Sequence, residues 1–183
     1  MEEMLEYYDE NLKKIGIKSR KAVHQEGLLH AVCHLWITDI KHQRIYYQLR
    51  SLDKDSFPGY YDITSAGHID PKETPGQSMI REAKEEIGLT LSKDDVEFLG
   101  TIIEHMENDH EIVYVYAADI ENPVFNPGPE VIDMFYVSLE DFMSDSPDCI
   151  FTDRHQKQFR VSKKQICPHD VHLIREYIYR QIH

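Results

Sequence analysis

Apolar and polar positions alternate along the chain with two different periods. Leu28 to Ile40 mixes Leu, Val, Trp and Ile and reads as a buried strand, and after a polar turn Ile45 to Arg50 reads as a second, antiparallel to it. Ser51 to Gly59 carries Lys54, Asp55, Pro58 and Gly59, which is loop chemistry, and Tyr60 to Ser65 is a short strand running into Gly67. Val96 to Ile103, Glu111 to Ile120 and Val131 to Val137 read as further strands. In the second of these, Ile112, Tyr114 and Tyr116 alternate with Val113, Val115 and Ala117, so both faces are expected to be buried.

A helical period interrupts the strands. Thr74 suits an N-cap, Pro75 the first helical position, Gln77 the third position of a capping box, and Gly88 the C-terminal stop. Ser138 to Asp141 reads as a capped short helix. Val171, Ile174, Tyr177, Ile178 and Ile182 recur at the spacing of a terminal amphipathic helix. Strands mixed with two or three helices around one sheet indicate an α/β or α+β layered domain.

The chain has 183 residues, enough for one ordinary domain with a real core. Its formal charge of −13 argues against a broad basic face for nucleic-acid backbones or anionic lipid, but not against a local site for a small anion. No apolar stretch approaches a membrane span, since His34 and Asp39 interrupt even the longest. The acidic opening MEEMLEYYDENLKK has no signal-peptide pattern. Cys33, Cys149 and Cys167 are far apart and form no CxxC pair, so the expectation is a reduced, cytoplasmic protein.

Chemistry concentrates between Gly67 and Leu89. On a helix, Glu82, Glu85 and Glu86 share one face, while Ile80, Ala83 and Ile87 form an adjacent packing face. Like charges at this spacing cost roughly 0.2–0.5 kcal/mol per pair, a penalty that a hard divalent cation reverses. Arg81 is the cation on this helix placed to compensate them, because Lys84 points away.

Gly67, Glu73, Arg81, Glu82, Glu85, Glu86 and Gly88 fit the pattern G-x5-E-x7-R-E-U-x-E-E-x-G-U, with Leu89 at the last apolar place and Ala83 smaller than usual. In this the chain resembles the Nudix hydrolases. The box covers residues 67–89, and the likeness implies one Nudix domain over 1–183, an α/β/α sandwich with a mixed sheet. It also implies hydrolysis of a phosphoanhydride bond in a nucleoside diphosphate-linked or similar small molecule. By position, Glu82 and Glu86 would hold Mg²⁺ or Mn²⁺, with Glu85 as a further ligand or water-activating base. Arg81 and Glu73 would hold the loop-helix geometry, and Gly67 would permit a close turn. Glu111 is the candidate general base outside the box. Arg50 and His68 are candidate substrate contacts. The partner would be a small diphosphate rather than nucleic acid or membrane, and a homodimer is left open.

Tyr8 to Asn11, Arg20, Val23-His24, Gly27 to His30, His34 to Ile37, Leu49 to Ser51, Lys54, Pro58-Gly59 and Ala66 to His68 resemble the branch related to isopentenyl-diphosphate isomerase. That likeness implies a rival reaction, a double-bond shift, together with a histidine-and-carboxylate metal site that His24, His30, His68, Asp109 and Glu111 would partly mimic. The isomerases carry a catalytic cysteine where this chain has Ala66, whose methyl group cannot carry a proton, so hydrolysis leads. A binding module without activity is a third reading, opposed by the intact Glu82, Glu85 and Glu86 set. Specificity is expected from Lys41 to Gln43, Ser51 to Gly59 and Asn122 to Glu130.

Overall fold

The computed structural model describes residues 2–106 and 109–183. Its elements run β1 (Met4–Tyr8), β2 (Lys14–Ser19), α1 (Arg20–Gln25), β3 (Leu29–Asp39), β4 (Arg44–Arg50), β5 (Tyr61–Asp62), β6 (Ser65–His68), α2 (Pro75–Ile87), β7 (Glu97–Met106), β8 (Asp109–Asp119), β9 (Val131–Ser138), α3 (Leu139–Met143), β10 (Asp148–Thr152), β11 (Gln158–Ser162) and α4 (His172–Ile182).

The apolar run of β3 is the spine. One flank pairs in parallel with β8 along its whole length, His30 opposite Glu111 through Thr38 opposite Asp119. The other flank is shared in succession by three antiparallel strands: β1 at Leu29 and His30, β6 from Val32 to Leu35, and β4 at Thr38 and Asp39. The sheet is therefore mixed, and β6 is wedged between two strands that diverge from β3 on either side of it.

Helices cover both faces. Against one, α2 packs Met79, Ala83 and Ile87 onto Cys33, Leu35 and Ile37, so the small Ala83 is fully buried and lets the helix lie close. Against the other, α4 packs Ile174, Tyr177 and Ile178 with Val32, Trp36, Val113 and Val115. This is the layered α/β/α arrangement, and among the described residues no helix is long and apolar enough to cross a membrane.

Several boundaries depart from the pattern. Tyr60 to Ser65 splits into β5 and β6, which pair with different strands, because Ile63 and Thr64 carry the chain from β4 across to β3. The alternation in β8 buries one side fully, whereas Tyr114 and Tyr116 on the α2 side are only half-buried, being at the margin of that helix. The β1–β2 hairpin, α1, β10 and β11 had no strong periodic signal. Gly67 makes no turn: it lies within β6, and a Cβ there would overlap the Glu82 carboxyl. Close approach of α2 is its reason.

At α2 the local signals all hold. Thr74 and Gln77 close the capping box and Gly88 ends the helix in the left-handed region at φ +72°. A Cβ on Gly88 would lie 2.6 Å from the Asn126 carbonyl oxygen, so backbone conformation and space both require glycine. Gly88→Ala should lower the unfolding free energy by at least about 1–2 kcal/mol, the cost of the left-handed backbone alone, measured by chemical denaturation.

Candidate active site

The first Glu of the carboxylate set reaches the cavity because Gly67 leaves room for it. Glu82 receives Arg81 Nη1 at 2.6 Å, and the same nitrogen reaches Glu85 at 3.1 Å. Arg81 Nε donates to Glu73 at 3.0 Å and Nη2 to the His68 carbonyl at 3.3 Å, while Ser78 Oγ donates to Glu73 at 2.6 Å. Arg81 thus ties the loop before α2 to the helix and to β6.

Glu86 is only 5% exposed. Its Oε2 accepts from the Ala66 backbone N–H at 2.9 Å, Ser65 Oγ at 2.8 Å and Gln48 Nε2 at 3.3 Å, and Lys54 Nζ stands 4.0 Å from Oε1. Burial raises its pKa against these partners. Burial likewise pushes Glu82 up to about 7, opposed by Arg81 and assisted by Glu86 and Glu85. Glu85 is the exposed member. Clustered oxygen donors with raised proton affinity are chemically suited to a hard divalent cation.

The cavity, about 410 Å³, wraps around β6 from α2 to the opposite face of the sheet. There His24, His30 and His68 converge, with ligand atoms within 4.8 Å of one another. His24 Nδ1 lies 2.5 Å from Asp109 and its Nε2 3.1 Å from His68, whose Nδ1 is 3.0 Å from Glu3. His30 Nδ1 meets the Leu28 carbonyl at 2.9 Å, while its buried Nε2 has no hydrogen-bond partner among the described residues. Burial holds His30 down at about 4, so this nitrogen offers a free lone pair in the tautomer with Nδ1 protonated. Such an orphaned atom, with two further imidazoles beside it, fits a borderline transition metal.

Glu111 is buried at 8% exposure, 3.9 Å from His30 Nε2. Burial and the neighbouring Asp109 charge raise it to about 7, against the pull of His169. It is no surface acid: parallel pairing with His30 turns it into the cavity.

A second buried network closes the floor. His169, just ahead of α4, shares Nδ1 with Glu104 and Nε2 with Asp62, each at 2.8 Å. Burial opposes its charge, but Asp62 and Glu104 outweigh it and hold the imidazolium well above its ordinary pKa. Because both nitrogens of His169 are spent on carboxylates, His169, Asp62 and Glu104 form an ion-pair network rather than a metal centre.

The sequence-selected residues Glu82, Glu85, Glu86, Arg81, Arg50, His68 and Glu111 all line this cavity, as does Gly67, whereas Glu73 and Gly88 act from outside it. Arg50 is held by Asp62 at 2.6 Å and by the Ser56 carbonyl at 3.0 Å, so its guanidinium is fixed rather than a mobile surface charge. Of the three loops expected to set specificity, Ser51 to Gly59 lines the cavity and Asn122 to Glu130 reaches it through Glu130. Lys41 to Gln43 does not: it is the β3–β4 turn, with Lys41 paired to Glu121 at 2.6 Å. Sequence reasoning missed Asp62, Glu104 and His169, which lie on β5, on β7 and in the loop ahead of α4, with no spacing to link them.

The network has a pH signature. Stability from a raised imidazolium is fully present below the unfolded value of about 6.5 and is lost as pH rises through the folded value. Asp62 and Glu104 are lowered by His169, so their share is lost as pH falls. His169→Gln should therefore cost about 3–5 kcal/mol near neutrality, since two buried carboxylates lose their partner, and denaturant titrations should show the deficit shrinking in alkali.

The NUDIX domain family pattern matches residues 28–158. Over 130 residues the chain is 37% identical to Nudix hydrolase 3 of Arabidopsis thaliana, a match taking in 67% of this chain but only 17% of that longer protein. It is 31% identical to isopentenyl-diphosphate delta-isomerase 2 of Homo sapiens, covering 77% of this chain and 71% of that one. A crystal structure from Deinococcus radiodurans shares the fold with a TM-score of 0.62 at 20% identity, over 77% of this chain and 86% of that one. Matched over most of its length, and carrying the carboxylate helix clamped to the sheet, the chain belongs to the Nudix family.

Proposed function

We propose that the protein hydrolyses a phosphoanhydride bond in a small diphosphate-linked molecule, with Mg²⁺ or Mn²⁺ held by Glu82 and Glu86 and with Glu85 as an outer ligand or base. The observation that carries this reading is that the carboxylates of α2 and the buried Glu111 line one cavity from opposite faces of β6. When bound, the cation supplies Lewis acidity and neutralises charge on the diphosphate oxygens.

The chain's own residues supply the rest. Arg81 holds Glu82 in place, and Ser65 and the Ala66 N–H hold Glu86. Arg50 and Lys54, both in the cavity wall, supply donors for phosphate oxygens, while His68 on the far side is engaged by Glu3 and His24. Glu111, with a pKa near 7 and a buried environment, is placed to take the proton of the attacking water. Water adds a hydroxyl to one phosphorus, the bridging P–O bond breaks, and the leaving phosphate carries away the electron pair.

A second reading, isomerisation of isopentenyl diphosphate, is favoured by the convergence of His24, His30 and His68 beside Asp109 and Glu111. Ala66 opposes it, since its methyl group lies in the cavity wall without a transferable proton. Assay of a diphosphate panel that includes isopentenyl diphosphate should show metal-dependent phosphate or nucleotide release and no dimethylallyl diphosphate. Appreciable conversion to that product would overturn the hydrolase reading. Glu86→Gln should lower metal-dependent turnover at least about 100-fold while circular dichroism shows the fold retained; undiminished turnover would remove Glu86 from the metal site.

A further inference from the structure

His34 belongs to none of the roles above. It lies on β3 opposite Ala66 of β6 and Val115 of β8, and its ring enters the cavity floor on the histidine side of the sheet. The residue is only 3% exposed. Among the described residues no hydrogen bond reaches either of its ring nitrogens. Burial, together with the neighbouring His169 charge, drives its pKa down to about 3, so the ring is neutral and presents one donor and one acceptor.

The ring is open to the cavity, and a bound group unable to hydrogen-bond would strip its nitrogens of water at a cost. The orientation of this ring is not left to chance. His169 stands against it edge-on, with ring centroids 4.6 Å apart and planes at 76°. His169 is itself pinned by Glu104 and Asp62, and Glu104 also accepts from the Asp170 N–H at 2.7 Å. The protein thus spends two buried carboxylates and an imidazolium on the ring that backs His34.

We infer that His34 is a specificity-determining contact for the organic group that the diphosphate carries, that His169 positions it, and that this group bears a hydroxyl or similar hydrogen-bonding function. A hydrocarbon group would leave both His34 nitrogens unsatisfied beside it, whereas a hydroxyl can donate to one tautomer's acceptor or accept from its donor. Sites built to bond a substrate hydroxyl discriminate strongly against the analogue lacking it, because the buried partner is then orphaned. The inference rests on the diphosphate reading of the cavity.

The test compares hydroxybutyl diphosphate with butyl diphosphate, both by calorimetric binding with Ca²⁺ and by turnover with Mg²⁺. The wild-type protein should prefer the hydroxylated ligand by about tenfold or more. His34→Leu should bring the two within about twofold of each other, and His34→Gln, which keeps a donor and an acceptor, should restore part of the preference. His169→Gln should lose the preference selectively; equal weakening of both ligands would make His169 merely structural and overturn its positioning role. Equal binding of the two by the wild-type protein, including no binding of either, overturns the inference whether or not the variants fold. A binding preference without hydrolysis of either compound would leave the subsite standing and remove the hydrolase reading instead.

Discussion

Everything at the site depends on the attachment of α2 to β6. Glu86, deep in the protein, takes the backbone N–H of Ala66 and the hydroxyl of Ser65, and this bond set fixes the helix against the strand at hydrogen-bond distance. Gly67 lets the Glu82 side chain occupy the space where any other residue would place its Cβ. Arg81 then binds Glu73, Glu82, Glu85 and the His68 carbonyl, converting a repulsive acidic face into an ordered one. Burial against the strand is what raises the affinity of Glu82 and Glu86 for a proton, with the neighbouring acids of the helix assisting at Glu82.

The opposite side of β6 is organised by strand register. Because β3 pairs with β6 and β8 at once, Glu111, His34 and Ala66 come to one face of one cavity although they are distant in sequence, with His30 beside Glu111. The chain's net charge of −13 does not describe this cavity, where Arg20, Arg50, Lys54, Arg81 and the His169 imidazolium are interleaved with the acids. Global charge speaks to the macromolecular partners that are disfavoured. The local pairing of both signs, with clustered oxygen and imidazole donors, is what suits a small phosphorylated ligand and its cation.

The carboxylate helix was legible because its determinants are local: the Thr74–Gln77 box, Gly88 and the spacing of Glu82, Glu85 and Glu86 all act within a few turns. The β3 spine and the terminal helix were legible for the same reason. The split of Tyr60 to Ser65 into two strands was not, since it depends on which neighbours those residues pair with. Gly67 was marked as important, yet its reason, a contact with a side chain fifteen positions on, exists only once α2 is packed. Glu111 was singled out as a base, and its burial follows from parallel pairing with β3. The Asp62–His169–Glu104 network left no trace in any local pattern because its members sit on two separate strands and in the loop ahead of α4.

The central proposal is that Glu82 and Glu86 hold the cation, and that the Glu82 carboxyl, with its pKa raised to about 7, carries a proton through much of the population near neutrality in the metal-free protein. Calorimetric titration with Mn²⁺ at about pH 6 and about pH 8, in two buffers of different ionisation enthalpy, tests it most directly. The account predicts proton release on binding at the lower pH, affinity that rises with pH and levels off above about 7, and loss of this behaviour in Glu82→Gln. Binding with no proton release, or unchanged in that variant, would contradict it.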